Sequence, residues 1–238
     1  MLELSLRSTL DLPRSDARHG YGLFETLRIQ DGAPRWLDLH LERLARGCAF
    51  LGLAEPPEPE EVLAFLASPL AGQDLLGRLH LTAVDGRLLA DLSSLPPHPP
   101  LPVTLALARD LRRSSASPLN RHKTLSYLEN RLLQREAEAR NVFEVVALNE
   151  DGRLTDGGRT SLFLVRGGRV LTPPVEDGAL PGIARQVLLE ARLVVEGSLH
   201  PQDLEEAEGI FLANALRGVL PVRWDGAGRV AACAAALE

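Results

Sequence analysis

The chain has 238 residues, of which 45% are hydrophobic and 24% charged, the balance of a globular protein with one large core or two small ones. Its net charge of −6 and aromatic content of 4% give neither a basic surface for nucleic acid or membrane nor a stacking platform for single strands. No apolar run reaches the length of a membrane span, and MLELSLRSTLDLPRSD at the start carries acids too early for a secretion signal. Cys48 and Cys233 form no CxxC and no zinc-spaced set; they are expected to be free, buried thiols in a reducing cytoplasm, and no metal site is expected.

Residues 2–10 and 23–30 alternate as strands do, and Asp31-Gly32 after the second marks a hairpin. Leu37, Leu41, Leu44, Cys48 and Leu51 form one helical stripe over 37–52, with His40, Arg43 and Gly47 on a neighbouring stripe that could meet a ligand. PPEP at 56–59 breaks the chain and introduces a helix near 60–68. Strands follow at 76–83 and 86–91 about Asp85-Gly86, then a loop at 93–100 and a strand at 102–109. RRSSASP at 112–118 loses periodicity, and 112–120 is the expected linker between an N-terminal domain, 1–111, and a C-terminal one, 121–238. A helix is expected at 124–140 with Leu125, Leu128 and Leu132 on one face and Asn141 ending it. Strands at 143–149, 161–166 and 169–172 surround the turns Asp151-Gly152 and Gly167-Gly168. Pro173-Pro174 stops the last of them, and Pro181-Gly182 opens a helix through about 194. A short helix at 201–207 and strands at 209–213 and 219–224 complete the chain. The pattern is α+β with many hairpins rather than a strict βαβ alternation.

Lys123 is the only lysine in the sequence. Arginine keeps its proton at any ordinary pH, so Lys123 is the one side-chain amine able to form a Schiff base. Several familiar motifs fail. Gly20-Tyr21-Gly22 lacks the third glycine of a dinucleotide fingerprint, and there is no P-loop, HExxH or GxSxG; His40-Leu41-Glu42 has no PCxxC after it. What remains is a lysine, an arginine on a helix face, an acid in a turn region and a helix opened by Pro-Gly. Pyridoxal phosphate needs such parts: an amine for its aldehyde, a carboxylate for its pyridine nitrogen, and cationic and backbone N–H partners for its phosphate.

Four blocks resemble the class IV aminotransferases, the fold-type-IV pyridoxal-phosphate enzymes: HGYGLFETLR at 19–28, HLERL at 40–44, SPLNRHKTLSYLEN at 117–130, and TDGGRTSLFLV at 155–165 with TPP at 172–174 and LPGIAR at 180–185. NALRGVLPV at 214–222 also fits. The resemblance implies a two-domain, D-amino-acid aminotransferase-like architecture, pyridoxal 5'-phosphate as cofactor, and a homodimer with the site between the domains. It implies that Lys123 is the Schiff-base lysine and that Asp156 takes the place of the family's usual glutamate at the ring nitrogen. Arg43 falls at the phosphate arginine, Ile183 and Ala184 at its N–H donors, Asn214 and Ala215 on a second phosphate loop, and Tyr127 near the ring's phenolic oxygen. Tyr21 and Ser161 stand where the family has Asp and Asn, and LTAVDG at 81–86 lacks the arginine of the family's T-R-G.

The lysine block and its lead-in most resemble the aminodeoxychorismate lyase branch, as does LANALR at 212–217. That resemblance implies elimination of pyruvate to give 4-aminobenzoate for folate biosynthesis. The alternative is an aminotransferase for branched-chain or D-amino acids, and a more distant one is a cofactor-binding protein that has lost catalysis. The anionic substrate needs cations, for which Arg28, Arg78 and Arg109, all on expected strands, are the candidates.

Overall fold

The computed structural model describes residues 1, 3–6, 16–70, 77–223 and 236–237. Cys233 and the ends of the strands expected at 2–10, 76–83 and 219–224 lie outside these. The chain forms two compact units, Met1–Pro97 with His122–Tyr127, and His98–Arg121 with Leu128–Glu238.

In the first unit, β1 (Glu3–Leu6), β2 (Leu23–Gln30), β3 (Ala33–Pro34), β4 (Gly77–Val84) and β5 (Arg87–Ser94) form one sheet in the order β1-β5-β4-β2-β3. All neighbours are antiparallel except β1 and β5. Both Asp-Gly pairs turn as expected: Asp31 and Gly32 have φ 52° and 74°, Asp85 and Gly86 52° and 73°, the left-handed pair of a type I′ hairpin. β2 alternates buried and half-buried positions along its whole length. Its buried side chains Leu23, Leu27 and Ile29 join Leu79 and Leu81 of β4 in a core completed by helices α1 (Leu37–Leu51) and α2 (Pro59–Leu70). The expected stripe Leu37, Leu41, Leu44 and Cys48 faces that core, and His40, Arg43 and Gly47 are buried beside it. A Cβ on Gly47 would stand 2.6 Å from Leu23 Cδ2, so α1 lies against β2 at a distance only glycine permits.

The second unit holds β6 (Leu105–Arg113), α3 (Leu128–Ala139), β7 (Glu144–Asn149), β8 (Leu154–Gly157), β9 (Ser161–Arg166), β10 (Arg169–Thr172), α4 (Ile183–Glu190), β11 (Val195–Glu196), α5 (Pro201–Glu205), β12 (Gly209–Asn214) and β13 (Gly218–Pro221). One sheet has the order β6-β7-β8 and the other β11-β10-β9-β12-β13. β7 and β8 are buried at every position: Val146, Leu148 and Leu154 pack with Leu162, Leu164, Ile210 and Leu212, and Val145 and Ala147 pack with Ala108, Leu133 and Ala137.

Three expectations are corrected. The polar stretch 112–118 is not a free linker, because β6 runs on through Arg113 in parallel with β7, and Ser115 donates its N–H and hydroxyl to the Glu150 carboxylate at 2.8 Å. The division between units falls after Pro97 instead, and Lys123 belongs to the first unit. The helix expected from 124 begins only at Leu128, since the preceding backbone is committed to β2: Phe24 N–H donates to Lys123 O at 2.9 Å and Leu125 N–H to Gly22 O at 2.8 Å. Its buried residues are Leu133 and Ala137, whereas Leu128 and Leu132 of the expected stripe are exposed.

Candidate active site

Lys123 is held by the first unit's own residues. The 122–127 segment lies along the start of β2, where Gly20 has φ 70° and a Cβ would meet Ser126 Oγ at 2.3 Å; a side chain there would push the segment away. The Lys123 ammonium stands 4.2 Å from the centre of the Phe24 ring and 4.8 Å from that of Tyr127, and the two rings meet edge to face at 5.0 Å. Lys123 Nζ donates to Tyr127 Oη at 3.5 Å. The lysine thus sits in an aromatic corner, half-buried, rather than on an open surface.

On the opposite, buried face of β2 lies a charged cluster. Glu25 Oε1 accepts from Arg43 Nε at 2.8 Å, and its Oε2 accepts from Arg43 Nη2 at 2.5 Å and faces His40 Nδ1 at 2.7 Å. His40 and Arg43 are three residues apart on α1 and so share a helix face. Burial pushes the Glu25 carboxyl up, but Arg43 and His40 outweigh it and hold the group at about 2. Burial pushes His40 down, against the pull of Glu25, and Arg43 and Lys123 push the same way as burial. A neutral His40 donates from Nδ1 to the ionised Glu25, and its Nε2 has no hydrogen-bond partner among the described residues.

The second unit gathers the acid and the Pro-Gly loop. Asp156 lies on β8, buried, with Oδ2 accepting from Leu180 N–H at 3.0 Å and Oδ1 3.1 Å from Arg113 Nη1. That ion pair is misaligned for hydrogen bonding, so Oδ1 keeps its acceptor capacity. Leu180 leads into Gly182, the extended N-cap of α4 (φ −69°, ψ 143°), which no side chain caps. The first N–H groups of the helix, those of Ile183 and Ala184, therefore point out of an uncapped, positive helix end. A Cβ on Gly182 would stand 2.9 Å from Ser161 Oγ, so a small residue is required on both sides of this contact. Asn214 ends β12 and organises the turn after it: its Oδ1 accepts from Leu216 and Arg217 N–H at 3.1 and 2.8 Å, and its Nδ2 donates to Arg159 O at 3.1 Å. Ala215 is the first residue of that turn.

Within units, the structure joins Lys123 with Tyr127, and Asp156 with the loop that carries Ile183 and Ala184. Arg28 and Arg78 face each other across β2 and β4, while Arg109 is exposed on β6 in the other unit. Sequence reasoning missed Glu25, although it stands in the quoted L-F-E-T block. It also missed Arg113, which carries no signal in a stretch that reads as linker. Tyr21, the departure from the family's Asp, donates its hydroxyl to Leu51 O at the end of α1.

The family model for class IV amino-transferases matches residues 22–224. The chain is 29% identical over 86% of its length to a "Putative branched-chain-amino-acid aminotransferase" of Methanocaldococcus jannaschii, covering 78% of that protein. It is 26% identical over 85% of its length to the aminodeoxychorismate lyase of Bacillus subtilis, covering 77% of it. Among solved structures, a "Putative 4-amino-4-deoxychorismate lyase" of Legionella pneumophila superposes with a TM-score of 0.80 at 27% identity, covering 93% of this chain and 90% of that one. Another structure of the same name gives 0.77 at 33% identity, covering 91% and 90%.

The chain belongs to the class IV aminotransferase family, and its cofactor is pyridoxal phosphate. The residues present fit that group: one lysine beside aromatic rings, a buried carboxylate oxygen left as an acceptor, and an uncapped helix N-terminus suited to a phosphate.

Proposed function

We propose that this protein is a 4-amino-4-deoxychorismate lyase, which eliminates pyruvate and leaves 4-aminobenzoate. The observation that carries the choice is the 33% identity, over 91% of this chain, to the structure named a "Putative 4-amino-4-deoxychorismate lyase". The lysine block and the LANALR segment lean the same way.

In this reading Lys123 holds the cofactor through its amine, Arg43 and the N–H groups of Ile183 and Ala184 take the phosphate, and the Asn214-Ala215 turn backs it. Tyr127 lies by the phenolic oxygen, and Asp156 faces the pyridine nitrogen. When bound, pyridoxal phosphate supplies an aldehyde and an electron-withdrawing ring. The chain's own work is proton handling. The proton on the ring carbon that bears the amine leaves, the C–O bond at the neighbouring carbon breaks, the released enol takes up a proton to become pyruvate, and the ring aromatises. Lys123 Nζ, the one side-chain lysine amine of the chain, is the group assigned to accept and return a proton. Asp156 would pair with the ring nitrogen, and Tyr127 keeps Nζ in place. The homodimer that the resemblance implies is part of this reading, and sedimentation velocity checks it.

A second reading, an aminotransferase, is supported by the 29% identity to the Methanocaldococcus jannaschii protein. Incubation with aminodeoxychorismate, beside a panel of amino donors and 2-oxo acids, separates the two. Pyruvate with 4-aminobenzoate is expected; amino-group exchange without them assigns the aminotransferase. Borohydride treatment of the yellow holoenzyme should fix cofactor onto Lys123, and a label mapped elsewhere removes the role given to that lysine.

A further inference from the structure

The face of the first unit's sheet that carries Phe24 continues into a pair of arginines. On β2 the half-buried positions are Phe24, Thr26, Arg28 and Gln30; on β4 they are Arg78, His80 and Thr82. The register sets Arg28 directly opposite Arg78, Thr26 opposite His80 and Phe24 opposite Thr82. Like charges paired across antiparallel strands cost stability, so nothing in folding favours the Arg28–Arg78 pair. Neither arginine forms an ion pair among the described residues. Arg28 Nε is buried without a hydrogen-bond partner, and Arg78 Nε donates only to the Ser93 hydroxyl, at 3.1 Å. The exposed Asp91 lies on this face, opposite His80.

This face starts at Lys123. Phe24 carries the Lys123 ammonium over one part of its ring and stacks with His80 at 6.4 Å. From Phe24 to Arg28 is four residues, about 13 Å of strand. The carboxylate of an α-amino acid is one carbon from its nitrogen and spans little of that. A molecule with its carboxylate across a ring, or at the far end of a chain, spans much more, and the guanidinium forks close the rest.

We propose that Arg28 and Arg78, with His80 beside them, form a binding site for a substrate carboxylate remote from the reacting amine. The site selects acids of that shape over α-monocarboxylates. Which acid it selects rests on the lyase reading, under which the carboxylate is the one across the ring from the amine; the anion site itself stands on the geometry of β2 and β4.

The test uses the holoenzyme and two pairs of probes that differ only in charge: 4-aminobenzoate against 4-aminobenzamide, and glutarate against glutaramate. Binding is read by calorimetry. In the parent the charged member of at least one pair should bind about tenfold tighter or more, the scale of a charge-assisted hydrogen bond. Arg28→Gln and Arg78→Gln should each remove most of that preference, and Arg78→Lys should restore part of it. Phenylglyoxal modification of the parent supplies an arm without variants: the carboxylates should shield Arg28 and Arg78, and the amides should not. No preference in the parent, or a preference and shielding pattern indifferent to these arginines, overturns the proposal. Loss of preference in the variants of an enzyme that releases no pyruvate keeps the anion site and removes the lyase. Pyruvate release with preference intact in the variants does the reverse.

Discussion

Nη1 of Arg113 stands 3.1 Å from Oδ1 of Asp156, and both side chains are nearly closed to water. Arg113 also donates to Gly157 O at 3.3 Å, so one guanidinium fixes both the acid and the backbone beside it. The Asp156 carboxylate is a methylene shorter than the family's glutamate, and the fold meets it with a strand-borne arginine on one oxygen and the Leu180 N–H on the other.

Asp156→Asn removes the charge and keeps the size. Turnover should fall about a hundredfold or more, roughly 2.7 kcal/mol in the barrier, with cofactor still bound. The variant should also lose stability, because Arg113 is left as a buried charge without its partner, a change worth about 3–5 kcal/mol. Steady-state kinetics and urea unfolding check the two effects separately. Parent-like turnover would return Asp156 to a purely structural role.

Arg43→Ala should weaken cofactor affinity by about 1–3 kcal/mol, the usual cost of a lost charge-assisted hydrogen bond. The fold depends on this residue too, because Arg43 holds the fully buried Glu25 by two hydrogen bonds. Its removal should cost about 3–5 kcal/mol of stability as well. In a double-mutant cycle, Glu25→Gln with Arg43→Ala should be less destabilised than the sum of the two single changes. Additive losses would mean the pair is not coupled.

How far the sequence reaches depends on whether a residue's partner is local. The hairpins at Asp31-Gly32 and Asp85-Gly86 and the α1 stripe were legible, because turn chemistry and helical periodicity are written in neighbouring residues. The Lys123 corner was legible only as a block: that Phe24 and Tyr127 flank the amine follows from backbone pairing across about a hundred residues of chain, which no periodicity encodes. Arg113 was hidden for the same reason. A parallel strand partner, β7, turns a polar stretch into a buried edge of the core. Segment 124–127 looked helical because Leu125, Leu128 and Leu132 have helical spacing, and tertiary hydrogen bonds to β2 outweighed that pattern.

Acid should reveal the Glu25 cluster. With a folded value of about 2 against 4.5 when unperturbed, the carboxylate contributes stability that is fully present above pH 4.5. That contribution disappears as pH falls from 4.5 towards 2, and amounts to about 3 kcal/mol. Urea unfolding of the parent between pH 6 and pH 3 should therefore fall more steeply than that of Glu25→Gln, which lacks the titrating group. Identical slopes would show that Glu25 does not titrate in this window.

Glu144 tests whether a side chain that touches no ligand positions the acid. It is fully buried, and its carboxylate accepts from Gly158 N–H at 3.1 Å, Arg159 N–H at 3.2 Å and the Thr160 hydroxyl at 2.8 Å. These bonds fix the turn that leaves Asp156, and a Cβ on Gly157 would stand 2.5 Å from Glu144 Cδ, so turn and carboxylate are packed without slack. Glu144→Gln keeps the volume but sets an NH2 group against some of those donors, at a cost of about 1–3 kcal/mol per unsatisfied group. Hydrogen exchange at Gly158 and Arg159 should speed by about tenfold or more, as local opening becomes easier. Turnover should fall while KM stays near the parent's, since a looser turn lets the Asp156 carboxylate wander without altering what the substrate touches. A variant with faster exchange and unchanged turnover would confine Glu144 to folding; one with neither change would show that the backbone holds the turn by itself.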